Sequence, residues 1–338
     1  MTEITYEHIS VQPFALVALE KLEITKKINE HGTLYLTGKV PQDSKDSYID
    51  MAKFGTVVEV VEKKDEQTEV LFCGILSDIS IEKVQDVYYL SLHAKTATYF
   101  MDTTLKSRSF QNLSMTYATL TQNIVSEYTK GDVLFMEQDT TLDYFTLQYR
   151  ETDWEFLKRM ASRYNQGLYP DFKHANAKFF FGVPNINNNA VLDEQVFSVK
   201  KNLGDYIYMS ANYIAGVTNI DFISFEVESY KQLELGEQVM FRELNLFVKD
   251  VFMYLKNGVL VNRYHIVSRD GLKQKYFENQ KIQGVSIAGN VIATQQDKVK
   301  VHIHEIDKSQ DVGTACWFPY SAMYASEDGS GWYCMPEV

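Results

Sequence analysis

Over residues 1–110 apolar and polar positions alternate with the period of two that a half-buried strand requires. The runs FALVALE from Phe14, TLYLTG from Thr33, TVVEVVE from Thr56, EVLFCGIL from Glu69 and YYLSLHA from Tyr88 are divided by charged turns such as KKDEQ from Lys63. Short strands spaced this way predict a barrel or a sandwich. From Asn112 the period lengthens. Ser114 is the expected cap of a helix in which Tyr117, Leu120, Ile124 and Tyr128 share a face. A strand-like stretch, YFTLQY from Tyr144, then leads into the best-defined element of the chain. Thr152 and Glu155 have the spacing of a capping box, in which each side chain satisfies the other's free backbone N–H. Asp153 adds negative charge to the first turn, where the helix dipole favours it. Leu157, Met160, Ala161 and Tyr164 recur on one apolar face. Gly167 is expected to be the left-handed stop, after which Leu168 and Tyr169 resume a strand. A hairpin over 172–183, turning through HANA from His174, and a polar loop, NINNN from Asn185, complete this region.

A strand pattern then returns and repeats the first. LFCGILSDIS from Leu71, closing with YLSL from Tyr89, aligns ungapped with LFVKDVFMYL from Leu246, closing with YHIV from Tyr264. The offset is constant, since 246 − 71 and 264 − 89 both give 175. Upstream, Gly55 and Gly236 open corresponding turns. Two copies of one barrel in a single chain leave such a trace. Beyond Gly284 the character changes again: GVSIAGNV runs into the alternating KVKVHIH from Lys298, and Trp317, Gly331, Trp332 and Pro336 punctuate the remainder. The predicted fold class is mainly β with α insertions (α+β). The predicted division is a first β-barrel domain at 1–110, a helical joining segment with a hairpin at 111–190, a second barrel at 191–280 and a further β segment at 281–338.

Composition sharpens this picture in three places. At 338 residues two or three domains are expected, and 22 Tyr and 20 Phe against 6 Pro favour strands. A net charge of −12 argues against binding nucleic acid by phosphate neutralisation. Cys73, Cys316 and Cys334 are too widely spaced for a zinc site or a disulfide framework, and Cys73 reads as a buried structural thiol. The acidic start MTEITYEHIS is no signal peptide, and no apolar run approaches the ~20 residues of a bilayer span, so a cytosolic product is expected. Catalytic candidates are few. His302 and His304 share one face of an alternating strand but lack a third ligand. Glu151, Asp153 and Glu155 could supply the carboxylate pair of a glycosidase, yet they stand at a helix start where capping accounts for them. No nucleophile elbow or glycine-rich phosphate loop occurs. The expectation is a non-enzyme without metal or cofactor.

Gln148-Tyr149-Arg150-Glu151-Thr152-Asp153, then Phe156-Leu157 and Gly167-Leu168-Tyr169, resembles the QYRESD…F…R…GIYY segment of the VgrG-like hub–spike family of contractile injection systems. That family comprises phage tail hubs, tailocins, extracellular injection particles and type VI secretion spikes. The stretch from Lys298 resembles the OB-fold that follows the hub, with Asp297-Lys298 in place of the usual Gly-Arg turn and Ala322-Met323 where Trp-Ala-Gly is common. The resemblance implies two tube-like barrels and, at 281–338, the first part of an OB-fold spike domain whose closing strand lies beyond Val338. It implies a homotrimer with a tail tube above, baseplate proteins around, a spike tip or effector below, and a target membrane contacted by the spike. No nucleic-acid sequence is read. Assembly is expected in the cytoplasm, followed by release as part of a particle. The compact chain favours a phage-tail-like particle. A type VI secretion spike, or a cell-wall hydrolase or receptor-binding module with its active part beyond Val338, are the alternatives.

Overall fold

The computed structural model describes residues 4–64, 67–320, 324–325, 331–332 and 337–338, and it is mostly β with few helices. The first strands are β1 (Ile9–Gln12), β2 (Ala18–Lys27), β3 (Thr33–Val40), β4 (Val57–Lys64), β5 (Gln67–Val84) and β6 (Val87–Lys95), with a short helix α1 (Lys45–Met51) between β3 and β4. They pair antiparallel in the order β1-β4-β5-β6-β3-β2. Alternation does what it should: Leu22, Ile24, Leu34, Leu36, Val58, Val60, Leu90 and Leu92 point inward and form one core with Phe14 and Phe72.

The joining region contains β7 (Lys106–Phe110), α2 (Tyr117–Val125), β8 (Asp132–Phe135), β9 (Thr146–Glu151), α3 (Asp153–Ser162), β10 (Leu168–Pro170) and β11 (Lys178–Phe181). β7 pairs with β9, so this region's sheet begins at Lys106, inside the stretch expected to belong to the first barrel. The expected hairpin is there, but its arms are β10 and β11, with Leu168 opposite Phe181. Ser114 does not cap α2. Asn112 Oδ1 accepts the Ser114 N–H at 3.1 Å, which makes a local turn and delays the helix until Thr116 accepts from the Thr119 N–H.

The second set comprises β12 (Ala190–Leu192), β13 (Phe197–Lys201), β14 (Ile223–Ser229), β15 (Gln238–Phe241), β16 (Leu244–Lys256) and β17 (Val259–Val267), with an unexpected helix α4 (Leu203–Asn212) after β13. Its neighbours run β12-β15-β16-β17-β14-β13, position for position the order of the first set. The one difference is that β12 lies parallel to β15 whereas β1 is antiparallel to β4. The repeat is closer than the sequence suggests, and its offset differs. Asp78 pairs with His93 beside a bulge in β5, and Asp250 pairs with His265 beside a bulge in β16. Both 250 − 78 and 265 − 93 give 172, which corrects the expected 175. The slip has a physical cause. The core position matching Leu90 is held by a polar residue, Asn262, fully buried, so an alignment on apolar runs slides past it.

After β17, β18 (Asn290–Gln295), β19 (Lys298–His302) and β20 (Trp317–Pro319) form an antiparallel sheet, and β21 (Tyr324–Ala325) pairs with β22 (Gly331–Trp332). β19 ends at His302, so His304 lies in the following turn and not on the same strand face. His302 Nε2 is instead 2.9 Å from the Asp307 carbonyl. Ala322, Met323, Cys334 and Pro336 lie outside the described residues.

Candidate functional site

The joining helix α3 packs against α2, β9 and β10 and touches both the β2–β3 turn and the segment after β17. Its start is the expected capping box: the Glu155 N–H donates to Thr152 Oγ1 at 3.1 Å, and the Thr152 N–H donates to Glu155 Oε2 at 3.0 Å. Its end corrects the role given to Gly167. The left-handed residue is Asn165 (φ 54°), and the Gln166 N–H reaches back to the Ala161 carbonyl while the Asn165 N–H reaches Ser162, a Schellman stop. Gly167 is required for a different reason. A Cβ there would stand 2.4 Å from Ile28 Cγ2, so only glycine lets the strand after α3 approach the β2–β3 turn.

Just before the helix, Ser107 on β7 faces both Tyr149 and Arg150 on β9, since Lys106 pairs with Glu151 and Arg108 with Gln148. Arg150 takes the left-handed conformation (φ 48°) that this bulge needs. The extra residue re-phases the strand, so that Gln148 and Glu151, three apart, both turn inward. Arg150 itself stays exposed, and its carbonyl accepts from Lys281 Nζ at 2.7 Å. The half-buried Tyr149 has its carbonyl taken by Asn279 Nδ2 at 2.9 Å. These two contacts tie the bulge to the segment that leads from β17 to β18.

Beneath the bulge lies a buried charge cluster. Asp153 is fully buried and accepts from Lys106 Nζ at 2.7 Å, Tyr128 Oη at 2.7 Å, Gln148 Nε2 at 3.0 Å and the Arg108 guanidinium. Burial alone would raise this carboxyl. The hydrogen bonds from Lys106, Gln148 and Tyr128 and the Arg108 charge outweigh it and hold Asp153 below the usual range. Burial, and then the bond to Asp153, push the Tyr128 hydroxyl up. Glu127 closes the cluster by bridging Lys106 and Arg108. Behind it, Arg159 forks onto Glu151 at 2.8 and 2.7 Å, both nearly inaccessible, and also donates to the Leu147 carbonyl. The three carboxylates considered for glycoside hydrolysis are thus taken up by structure: Glu151 by Arg159, Asp153 by the cluster, Glu155 by the cap. Phe156 and Leu157 are buried, with Phe156 stacked on Phe110 at 5.4 Å.

The other face of α3 docks on the first strand set. Trp154, buried, donates from Nε1 to the Asn29 carbonyl at 3.0 Å, and its ring lies 4.9 Å from that of His31. A polar chain runs from Thr152 through Asp102 to His31, Thr98, Thr96 and the Gly32 N–H. Burial lowers the His31 ring and Asp102 partly offsets this, while the bond from His31 chiefly lowers Asp102. Lys106, Arg108, Glu127, Trp154 and Arg159 escaped sequence reasoning as site residues. Trp154 and Arg159 fall within the signature segment, but Lys106, Arg108 and Glu127 are distant from it in sequence and carried no signal.

The remaining predicted positions are placed as follows. Gly55 (φ 84°) and Gly236 (φ 80°) each stand two residues before a strand, β4 and β15, whose first pairs are Val57 with Ile75 and Gln238 with Phe247. Ile75 and Phe247 are counterparts at the 172 offset, so the two glycines occupy matching turns. Trp317 opens β20 with Lys300 Nζ 5.1 Å from its ring, and Gly331 and Trp332 form β22. Among the described residues no His, Cys, Asp and Glu group has the arrangement of a metal site, and Cys73 and Cys316 are buried free thiols. Burial raises Cys73 to about 11.

Residues 28–183, which run from the β2–β3 turn through α3 to the end of β11, match the family model described as phage tail baseplate hub (GPD). This stretch is similar to a phage tail baseplate hub. No curated protein matches the sequence. By structure the chain is similar to the E. coli c3393 protein, a component of the type VI secretion system with structural similarity to T4 tail proteins gp27 and gp5 (TM-score 0.60, 9% identity, covering 91% of this chain and 92% of that one). It is also similar to the 43 kDa tail protein of prophage MuSo2 from Shewanella oneidensis (TM-score 0.58, 10% identity, 78% and 98%). A third similar chain belongs to the Francisella PdpA–VgrG complex (TM-score 0.54, 9% identity, 97% and 74%). The similarity of this stretch to the baseplate hub model, together with the similar folds, supports a structural hub–spike role, as the sequence resemblance implied. Among the described residues no helix is long and apolar enough to cross a membrane.

Proposed function

We propose that this chain is the hub of a phage-tail-like contractile injection particle, a homotrimer that adapts a sixfold tail tube to a threefold spike. The observation that carries the reading is the twofold repetition of one strand order, β4-β5-β6-β3-β2 and β15-β16-β17-β14-β13. Three chains with two such units present six similar surfaces to a tube while narrowing to three chains below. In this reading the units at 1–110 and 191–280 are tube-like barrels, 111–190 joins them, and the sheet of β18, β19 and β20 begins an OB-fold spike domain. The residues Gln148 to Gly167 are then the structural signature that locks units, spike and joining helix together. Baseplate proteins surround the hub, a tip or effector sits below it, and the particle carries it to a target membrane. In this reading the chain's role is mechanical, and Glu151, Asp153 and Glu155 at the start of the joining helix serve its structure through Arg159, the buried cluster and the cap. The similarity to the c3393 protein and to the PdpA–VgrG complex favours, as a second reading, a type VI secretion spike. Light scattering on the full chain is expected to give three times the monomer mass, and electron microscopy of the native particle to place it between tube and spike. A chain that stays monomeric at every concentration removes this proposal.

A further inference from the structure

The sheet of β18, β19 and β20 meets the rest of the chain without sharing an apolar core. Among the described residues, none of the four buried apolar clusters draws on a position beyond Leu272. Residues 273–289, which carry the chain from the second strand set to β18, include no buried side chain. This strap lies over the joining region on polar ties. The Gln274 N–H donates to the Asn165 carbonyl at 2.8 Å, the Phe277 N–H to Ser162 Oγ at 2.9 Å and Asn279 Nδ2 to the Tyr149 carbonyl at 2.9 Å. At Gly284 (φ 71°) the strap turns in open space.

Two side chains fix the sheet to the joining region reciprocally. Among the described residues β7 pairs only with β9, which leaves backbone groups on its other edge to be satisfied. Asp307 satisfies one of them: Oδ1 accepts the Ser109 N–H at 3.0 Å, and Oδ2 accepts the Ser109 hydroxyl at 2.5 Å. In return Gln111, almost wholly buried, donates from Nε2 to the Val301 carbonyl of β19 at 2.9 Å. The turn that presents Asp307 is itself braced. The Asp307 N–H donates to the Ile303 carbonyl at 2.9 Å, and His302 Nε2 holds the Asp307 carbonyl, which gives that histidine a structural task. Beside these bonds Phe145 meets Phe318 edge-on at 5.1 Å.

We propose that Asp307 is a latch: the sheet docks on the hub as a separate body, and docked and released states exchange through the Asp307–Ser109 bonds while each body stays folded. Bonds to a carboxylate are strong and directional, so the closed joint fixes the sheet's direction. Once broken, they are replaced by bonds to water, and no apolar core opens with them. Released, the sheet swings on the strap. The inference concerns contacts within one chain and stands apart from the trimeric reading.

Cys316 is a built-in reporter, buried in the joint with Sγ 3.8 Å from Gln111 Oε1, while Cys73 is buried in the first strand set. Alkylation of the full chain is followed thiol by thiol by mass spectrometry. Asp307→Ala is expected to speed alkylation of Cys316 roughly tenfold, with the rate at Cys73 and the thermal midpoint unchanged. Asp307→Asn keeps an acceptor for the Ser109 N–H and is expected to restore most of the protection. Amide exchange separates release from unfolding, since the paired amides of β18 and β19 should stay protected in Asp307→Ala. An unchanged rate at Cys316 overturns the latch. So does a parallel rise at Cys73, which would mean a general loss of stability, or a loss of protection in β18 and β19, which would mean that the sheet unfolds where it should undock. Each of these outcomes leaves the hub reading standing.

Discussion

Glu234 joins three parts of the chain at a single carboxylate. It meets Lys26 Nζ of β2 at 3.1 Å and Lys173 Nζ of the joining hairpin at 2.9 Å, and it precedes β15 of the second set. Lys26 is almost wholly buried, with its ammonium 5.0 Å from the Phe172 ring. Burial opposes the charged form of Glu234, but the two ammonium groups outweigh it and hold the carboxyl at about 2. The sign of the linkage follows. The folded value lies below the unfolded one of about 4.3, so the stabilisation is complete above that value and is lost as the pH falls through about 2. Glu234→Gln removes the charge and strands Lys26. It is expected to cost about 3–5 kcal/mol in urea unfolding at neutral pH, with the gap to the parent protein closing as acid is added. A gap that widens in acid would contradict this origin. Asp153 is depressed in the same direction, so it adds to the same acid sensitivity.

At the scale of elements α3 is the centre of the joining region's core. Leu157, Met160 and Ala161 are fully buried against Leu120 and Ile124 of α2 and Phe179 and Phe181 of β11. Truncating Leu157 or Met160 to Ala is expected to cost about 2–5 kcal/mol, read from the thermal midpoint of the assembled protein. An unchanged midpoint for Leu157→Ala would mean that the apolar face is misassigned. This helix was legible in the sequence because its signals are local: the cap, the box and the apolar spacing lie within a dozen residues. What was not legible came from distance or from substitution. Gly167 looks like a stop, and its true constraint is Ile28, far earlier in the chain. Asp153 looks like a dipole residue, and its true partners lie on β7, on β9 and just after α2. α4 is short and has no buried residue, so no apolar stripe announced it. The repeat was visible as a pattern, but Asn262 in the core shifted its apparent register.

For the whole molecule, the trimeric reading implies six like joints between strand sets, in two populations that differ only in how they are linked. The three between β2 and β16 are intramolecular, so the chain itself supplies the partner strand at high effective concentration. In the trimeric reading β13 and the 78–82 edge of β5, the counterparts of β2 and β16, supply three more between neighbouring chains, and these need a second chain and obey mass action. Amide exchange separates them. Amides within Ile24–Lys27 and Asp250–Tyr254 are expected to be protected at every protein concentration, because both sides of that ladder belong to one folded chain. Amides of Ser198–Asn202 and Asp78–Glu82 that face the free edges are expected to exchange quickly in dilute protein and to gain protection together as trimer forms. Lys200 on β13 and Asp78 and Glu82 on β5 are exposed charges of opposite sign, so raising the salt concentration should weaken this second joint modestly, by the amount that screening takes from exposed pairs. The internal joint should hardly respond. If 78–82 and 198–202 become protected at different concentrations, they are not the two halves of one ladder. If both are protected in the dilute monomer, their edges are already covered within the chain and the ring closes by some other surface.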